Sequence, residues 1–171
     1  MKNVHQYLII HHSVSNRDNT SVEDIDSWHK ARWSHFKSSL GYWAGYGYII
    51  TGNGKVTQTR NDDEEQAHAI GWNIKSIGIA LTGNFNDWAL SPQQDNALKV
   101  LLNRLRAKYK IPLKNVLSHN EIDVTQCPGK NLEKLIKKYK TPNLVSLQRQ
   151  LMILTSLIQR LMALLKILRR K

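Results

Sequence analysis

His11, His12, His119 and Cys127 are the residues of this chain whose types and spacing point to joint chemistry. His119, in Ser118-His119-Asn120-Glu121, stands eight residues before the only cysteine, in Thr125-Gln126-Cys127-Pro128-Gly129. His11 and His12 follow an apolar run, Tyr7-Leu8-Ile9-Ile10. One imidazole from the first segment, with an imidazole and a thiolate from the second, makes three donors suited to zinc. Three protein ligands and one open position is the arrangement of a catalytic zinc site. Adjacent residues of a strand point to opposite faces, so at most one of His11 and His12 serves as a ligand there. Cysteine-nucleophile chemistry, with Cys127 attacking and a histidine as base, is the rival. It uses one imidazole and leaves the second unexplained. A free cysteine is otherwise most often a small buried hydrophobe. The polar, loop-like context of Cys127 weakens that reading.

The elements that must position these residues follow from pattern. Val4 to Ile10 reads as a short buried strand with the histidines at its exit. Ser21-Val22-Glu23-Asp24 starts a helix with a side-chain acceptor and first-turn acids. Ile25, Trp28, His29, Trp33 and Phe36 extend it to about Lys37 as an amphipathic helix. Tyr46 to Ile50 and Lys55 to Arg60 form a hairpin around Thr51-Gly52-Asn53-Gly54. Ser76 to Gly83 is apolar, β-branched and glycine-bounded, which predicts a central strand. Ser91-Pro92-Gln93-Gln94 opens a helix to about Lys110, with proline at its first position and a capping-box glutamine. Val116-Leu117 is a short strand delivering His119. Asn131 to Lys140 is a helix, and Thr141-Pro142-Asn143 breaks it.

Composition sets bounds. The 171 residues allow one domain plus an appendage, and five Trp and six Tyr suit a real core. A single cysteine rules out an intrachain disulfide. The net charge of +12 favours an anionic partner such as nucleic acid, an acidic lipid surface or a cell-wall polymer. The start, Met1-Lys2-Asn3-Val4-His5, lacks a secretory h-region. That predicts synthesis in a cytoplasm, with any export by another route.

Three further segments are candidates for substrate contact. Tyr46 lies between Gly45 and Gly47, where a substrate can approach the backbone closely, although a strand tyrosine burying its ring is the plainer reading. His68 sits in a loop, Ala67-His68-Ala69. Trp72-Asn73 is either a stacking platform for sugar or peptide, or a loop anchor.

Taken together, these segments resemble the zinc-dependent N-acetylmuramoyl-L-alanine amidases, the type that includes phage lysozyme-like amidases and animal peptidoglycan recognition proteins. The resemblance covers about residues 4 to 140. It rests on Ile9-Ile10-His11-His12-Ser13, Trp28-His29, Gly45-Tyr46-Gly47-Tyr48-Ile49-Ile50 with Gly54, Ala67-His68-Ala69 with Asn73, Ser76-Ile77-Gly78-Ile79, Ser118-His119-Asn120-Glu121 and Cys127-Pro128-Gly129. It implies an α/β fold, a central mixed sheet flanked by helices, with Zn2+ in a surface groove. It maps the metal ligands to His11, His119 and Cys127. It maps the catalytic pair to Tyr46 and Thr125 and places His68 along the groove. Some relatives carry a glutamate general base in the strand after Gly-Ile, where this chain has Ala80. The implied reaction is hydrolysis of the amide between N-acetylmuramic acid and L-alanine of peptidoglycan. The implied setting is a phage or prophage endolysin, and the alternative is a recognition module that holds peptidoglycan without cutting it.

Beyond a linker at 141–143, residues 144–171 differ in kind from the catalytic domain expected at 1–140. Leu144, Leu147, Leu151, Leu154, Ile158, Leu161, Leu165 and Leu168 alternate steps of three and four. Six Lys/Arg and no acid accompany them. This predicts a cationic amphipathic helix. One purpose is binding to an anionic membrane or lipopolysaccharide. The other is homo-oligomerisation through a coiled coil. No aromatic-basic array of the kind single-strand binders use is present in the domain, which argues against nucleic acid.

Overall fold

Ser76-Ile77-Gly78-Ile79-Ala80-Leu81 alternates small and branched side chains, and that period of two organises the fold. In the computed structural model, which describes residues 4–141 and 144–168, this segment is the middle strand of a five-stranded sheet. The strands are β1 (Tyr7–His12), β2 (Tyr48–Ile50), β3 (Val56–Gln58), β4 (Ser76–Leu81) and β5 (Val116–Ser118), in spatial order β3-β2-β4-β1-β5. β1 pairs in parallel with β4 and β5, and β2 pairs in parallel with β4 and antiparallel with β3. The helices are α1 (Val22–Arg32), α2 (Pro92–Tyr109), α3 (Lys130–Lys140) and α4 (Leu144–Leu168). The chain divides into two units, Met1–Lys140 and Thr141–Lys171.

The branched face of the sheet is the main core. Ile77, Ile79 and Leu81 of β4 join Leu8, Ile10, Tyr48 and Ile50 against Leu98, Leu101, Leu102 and Leu105 of α2 and Leu132 and Ile136 of α3. The opposite face is sparer. Ala80 packs with Ile49, Ala44, Val22 and Ile25, and Tyr42 and Tyr46 lie against them. In the β1–β4 register, His11 lies beside Ala80, Ile9 beside Gly78 and Tyr7 beside Ser76. His11 therefore shares the small-residue face.

Several element boundaries differ from expectation, and the hairpin strands are shorter than read, β2 starting at Tyr48 rather than Tyr46 and β3 spanning Val56–Gln58 rather than Lys55 to Arg60. β1 starts at Tyr7 rather than Val4 and carries both histidines inside it, because His5 adopts a left-handed backbone (φ 50°) that interrupts the extended run. α1 stops at Arg32 rather than near Lys37. The cause is Arg60, whose buried guanidinium lies 4.0 Å over the Phe36 ring and donates to the carbonyls of Phe36, Ala44 and Glu65. It draws residues 33–45 into a loop against the sheet. The capping boxes at Ser21–Asp24 and Ser91–Gln94 are present, the first with aspartate. The break at Pro142-Asn143 and the side chains of Leu144, Leu147, Leu165 and Leu168 lie outside the described residues. No described helix is long and apolar enough to cross a membrane.

Asp62 ties the loop after β3 to α2. The Tyr48 hydroxyl donates to its Oδ1 at 2.5 Å, and Tyr109 and Lys108 donate to its Oδ2 at 2.5 and 2.8 Å. Burial alone would raise the Asp62 carboxyl, but these donors outweigh it and hold the group below the ordinary carboxylate value. A depressed folded-state pKa stabilises above the unfolded value, about 3.9, and that stability is lost as pH falls through the folded value. Asp62→Ala should therefore lower stability by about 1–3 kcal/mol at pH 7, since it strands buried donors. In urea denaturation the gap from the unsubstituted protein should narrow below about pH 4. A gap that stays constant with pH would contradict the role of the ionised carboxylate.

Candidate metal centre

Three elements bring the donors together. β1 supplies His11, which is 2% exposed. β5 ends at Ser118, and the chain turns at once into a single 3-10 turn, His119–Glu121, closed by a Ser118–Glu121 capping box. The loop that follows returns Cys127 to the end of β1. Asn120 N–H donates to the Cys127 carbonyl at 2.9 Å, and Cys127 N–H donates to Thr125 Oγ1 at 3.1 Å. Gly129 has φ +89° and sits so close to the backbone of Phe85 and Asn86 that a side chain there would collide with it. The loop is thus clamped on both sides of the cysteine.

One nitrogen each from His11 and His119 and the Sγ of Cys127 lie within 4.8 Å of one another. Among the described residues this is the group of three or more His, Cys, Asp or Glu compact enough to hold a metal ion. Cys127 Sγ is 3.7 Å from His11 Nδ1 and accepts the His12 backbone N–H at 3.4 Å. Both ring nitrogens of His119 are buried without a hydrogen-bond partner, and its Nε2 is 3.7 Å from an Asp123 carboxylate oxygen. A buried imidazole with neither nitrogen satisfied carries a desolvation penalty that a bound cation would relieve. The donor set and this orphaned ring fit a metal.

Electrostatics at the two imidazoles agree with a ligand role. Burial, then the neighbouring His68, His119 and His12, hold His11 well below its ordinary value. Burial also lowers His119, against a smaller opposing pull from Asp123. Both rings are neutral near pH 7, the form that ligates. Burial pushes the Cys127 thiol up to about 12, with the His12 N–H acting the other way.

His12 faces the opposite side of β1, where its Nδ1 accepts the Phe85 N–H at 3.2 Å. Tyr46 stands beside the centre, its ring 5.3 Å from that of His11. Burial, then the neighbouring Cys127, raise its phenol well above the ordinary value, so it remains an O–H donor. His68 contacts His11 directly, Nδ1 to Nε2 at 2.9 Å. Thr125 is half-buried at the cysteine loop. Trp72 and Asn73, both half-buried, also make contacts within the protein. The Trp72 ring meets Tyr7 edge-on at 5.0 Å under the Lys75 ammonium. Asn73 Oδ1 accepts the backbone N–H groups of His68 and Ala69, each at 2.9 Å, and so shapes the His68 loop. Ala80 is fully buried beside His11, so β4 supplies no carboxylate here.

The chain matches the family model described as N-acetylmuramoyl-L-alanine amidase over residues 1–130. It belongs to that family. It is 36% identical over 135 residues to peptidoglycan-recognition protein SC2 of Drosophila melanogaster, covering 77% of this chain and 72% of that protein. It is 30% identical over 138 residues to the endolysin of Escherichia phage T7, covering 77% and 85%. Among solved structures it is similar to the amidase LysC of Clostridium intestinale URNW, with 30% identity and a TM-score of 0.68 over 82% of this chain and 88% of that one. A bumblebee recognition protein, PGRP-SA, is 32% identical with a TM-score of 0.67 over 80% and 85%. The amidase family thus offers both cutting and recognising relatives at similar distance.

Two supports of this amidase-family site were not apparent as such in the sequence. Asp26 Oδ1 accepts the N–H groups of Trp43 and Ala44 at 2.6 and 2.9 Å, and His29 Nδ1 accepts the Gly45 N–H at 2.8 Å. Together they fix the turn that presents Tyr46. Their spacing of three on one helix face was the available signal. Asn73→Ala should release two backbone donors at the His68 loop and cost about 1–3 kcal/mol in chemical denaturation. Unchanged stability would return Asn73 to a role in substrate contact alone.

Proposed function

We propose that this chain is a zinc-dependent N-acetylmuramoyl-L-alanine amidase acting as a phage or prophage endolysin. The observation that carries the reading is the cluster of His11, His119 and Cys127 donors within 4.8 Å, with both His119 nitrogens unpartnered. These three residues would hold the zinc. Bound there, zinc would supply Lewis acidity toward the amide carbonyl and would acidify a water molecule.

The residues of the chain do the rest. Tyr46, kept protonated, donates a hydrogen bond to the amide oxygen as negative charge develops on it. Thr125 accepts the Cys127 N–H with its oxygen and keeps its own O–H to donate toward the same charge. His68 supports His11 rather than titrating, since burial, then His119, push it down to about 3. The rival reading of Cys127 as a nucleophile is disfavoured by the same electrostatics. Its thiol is held up to about 12 by burial, and the imidazole nearest it, His11, is held low, so neither shares the proton usefully.

The recognition-module alternative rests on insect relatives at 31–36% identity. The intact three-donor cluster with Tyr46 favours cleavage. Peptidoglycan is the partner proposed in either case, and a relative's structure with bound tracheal cytotoxin, at 26% identity, is in keeping with it. Synthesis in a host cytoplasm and release to the wall follow the endolysin reading.

Residues 1–140 are proposed as the catalytic domain and 141–143 as its linker. For residues 144–171 we propose contact with an anionic membrane or lipopolysaccharide. Every residue of α4 from Leu151 to Met162 is exposed, eight of them large and apolar. No acid lies between residues 143 and 171.

Purified protein should carry about one zinc per chain and should release stem peptides with free L-alanine amino termini from cell wall. Cys127→Ala should lose both. Tyr46→Phe should keep the metal and lose on the order of 10²–10³ in rate. Stoichiometric zinc without release would make the chain a recognition module. Activity without zinc, blocked by thiol alkylation, would restore the nucleophile. Truncation after Thr141 should abolish leakage from anionic liposomes. Unchanged leakage, with a chain mass that rises with concentration in ultracentrifugation, would make α4 a coiled coil instead.

A further inference from the structure

Four polar groups stand in series behind the metal centre. The Ser76 hydroxyl donates to the Trp72 carbonyl at 2.7 Å. That bond uses its only hydrogen, so Ser76 Oγ faces His68 Nε2, 3.1 Å away, as an acceptor. His68 Nε2 must then carry a proton. In a neutral ring this leaves His68 Nδ1 with a lone pair, and that lone pair faces His11 Nε2 at 2.9 Å. His11 must place its own proton on Nε2 to fill it. Its Nδ1 is thereby left unprotonated, and Nδ1 is the nitrogen that lies 3.7 Å from Cys127 Sγ.

The backbone is built to hold this series in place. An added Cβ at Gly78 would come within 2.5–2.8 Å of the His68 ring atoms Cγ, Cδ2 and Nδ1, so the ring lies directly on the strand. Gly78 N–H is itself tied to Gln66 Oε1 at 2.8 Å, and Asn73 holds the His68 backbone N–H. Ser76 is fully buried. Ser76 and Gly78 are two residues apart on β4 and share its small-residue face.

We infer that Ser76 and His68 are positioning residues that fix the tautomer of His11, so that the Nδ1 lone pair is presented beside Cys127 before any metal arrives. This assigns to His68 a role behind the ligand, and to Ser76 a role where sequence showed only a strand residue. The inference rests on the metal-centre reading above for its purpose and on hydrogen-bond geometry for its content. A preset tautomer removes the need to reorganise two buried rings on binding, and partners behind a ligating histidine typically change metal affinity 10- to 100-fold.

The test reads protonation sites and affinity separately. Long-range 1H–15N spectra of the metal-free protein should show His11 and His68 each protonated at Nε2. The Ser76 backbone carbonyl is a second acceptor for the His68 ring, so in Ser76→Ala His68 should shift only partly toward the other tautomer. Zinc affinity, measured by competition with a chromogenic chelator, should fall about 10- to 100-fold in Ser76→Ala and in His68→Leu. A proton on Nδ1 of either ring in the unsubstituted protein would overturn the relay, and that measurement requires no variant to fold. Zinc affinity unchanged in both variants would overturn it as well. Failure of the unsubstituted protein to bind zinc, with both tautomers as stated, would sink the metal-centre reading and leave the relay standing.

Discussion

Ser76, Gly78 and Ala80 leave one face of the central strand nearly bare, and the site depends on that bareness. Side chains alternate along β4, so the same six residues give a full hydrophobic layer on one side and a recess on the other. Ile77, Ile79 and Leu81 fasten the sheet to α2 and α3. The recess admits the His68 ring onto Gly78 and sets His11 beside Ala80. A branched residue at any of the three small positions would fill space that the rings occupy. Stability and function are thus assigned to opposite faces of one strand.

Much of this was legible in the chain, and the residues show why. Type and spacing marked His119, Cys127 and the His11-His12 pair, and the family resemblance selected His11 from that pair. The helix starts at Ser21 and Ser91 were readable because capping is local chemistry. The misplaced end of α1 was not readable. It depends on Arg60, a residue 28 positions beyond the last residue of that helix, reaching carbonyls that no local pattern connects to it. Trp72-Asn73 read either as a stacking platform or as a loop anchor, and in the fold Asn73 holds its own loop while Trp72 meets Tyr7 edge-on. Polar residues near a site are used for building it as well as for binding, and sequence alone does not separate the two. Ser76 illustrates the same limit, since its role depends on a carbonyl four residues back.

The charge pattern has two levels. The protein as a whole is strongly cationic, and the six Lys/Arg of residues 144–171 contribute half of the net +12. Inside, the candidate centre is a set of groups held neutral: imidazoles lowered by burial and a thiol and a phenol raised by it. Water exclusion produces all of these shifts in one direction, toward the uncharged form. A divalent cation arriving there meets ligands that need give up no more than the thiol proton. A net charge of this sign favours an anionic partner at longer range.

The loop bearing Cys127 closes onto β1, and the two partners are 115 residues apart in sequence. A ribosome emits the strand first and the cysteine almost last within residues 1–140. Through most of its own synthesis, therefore, the growing polypeptide holds one of the three clustered side chains. The centre is completed only when residue 127 has emerged and the sheet has formed to receive it.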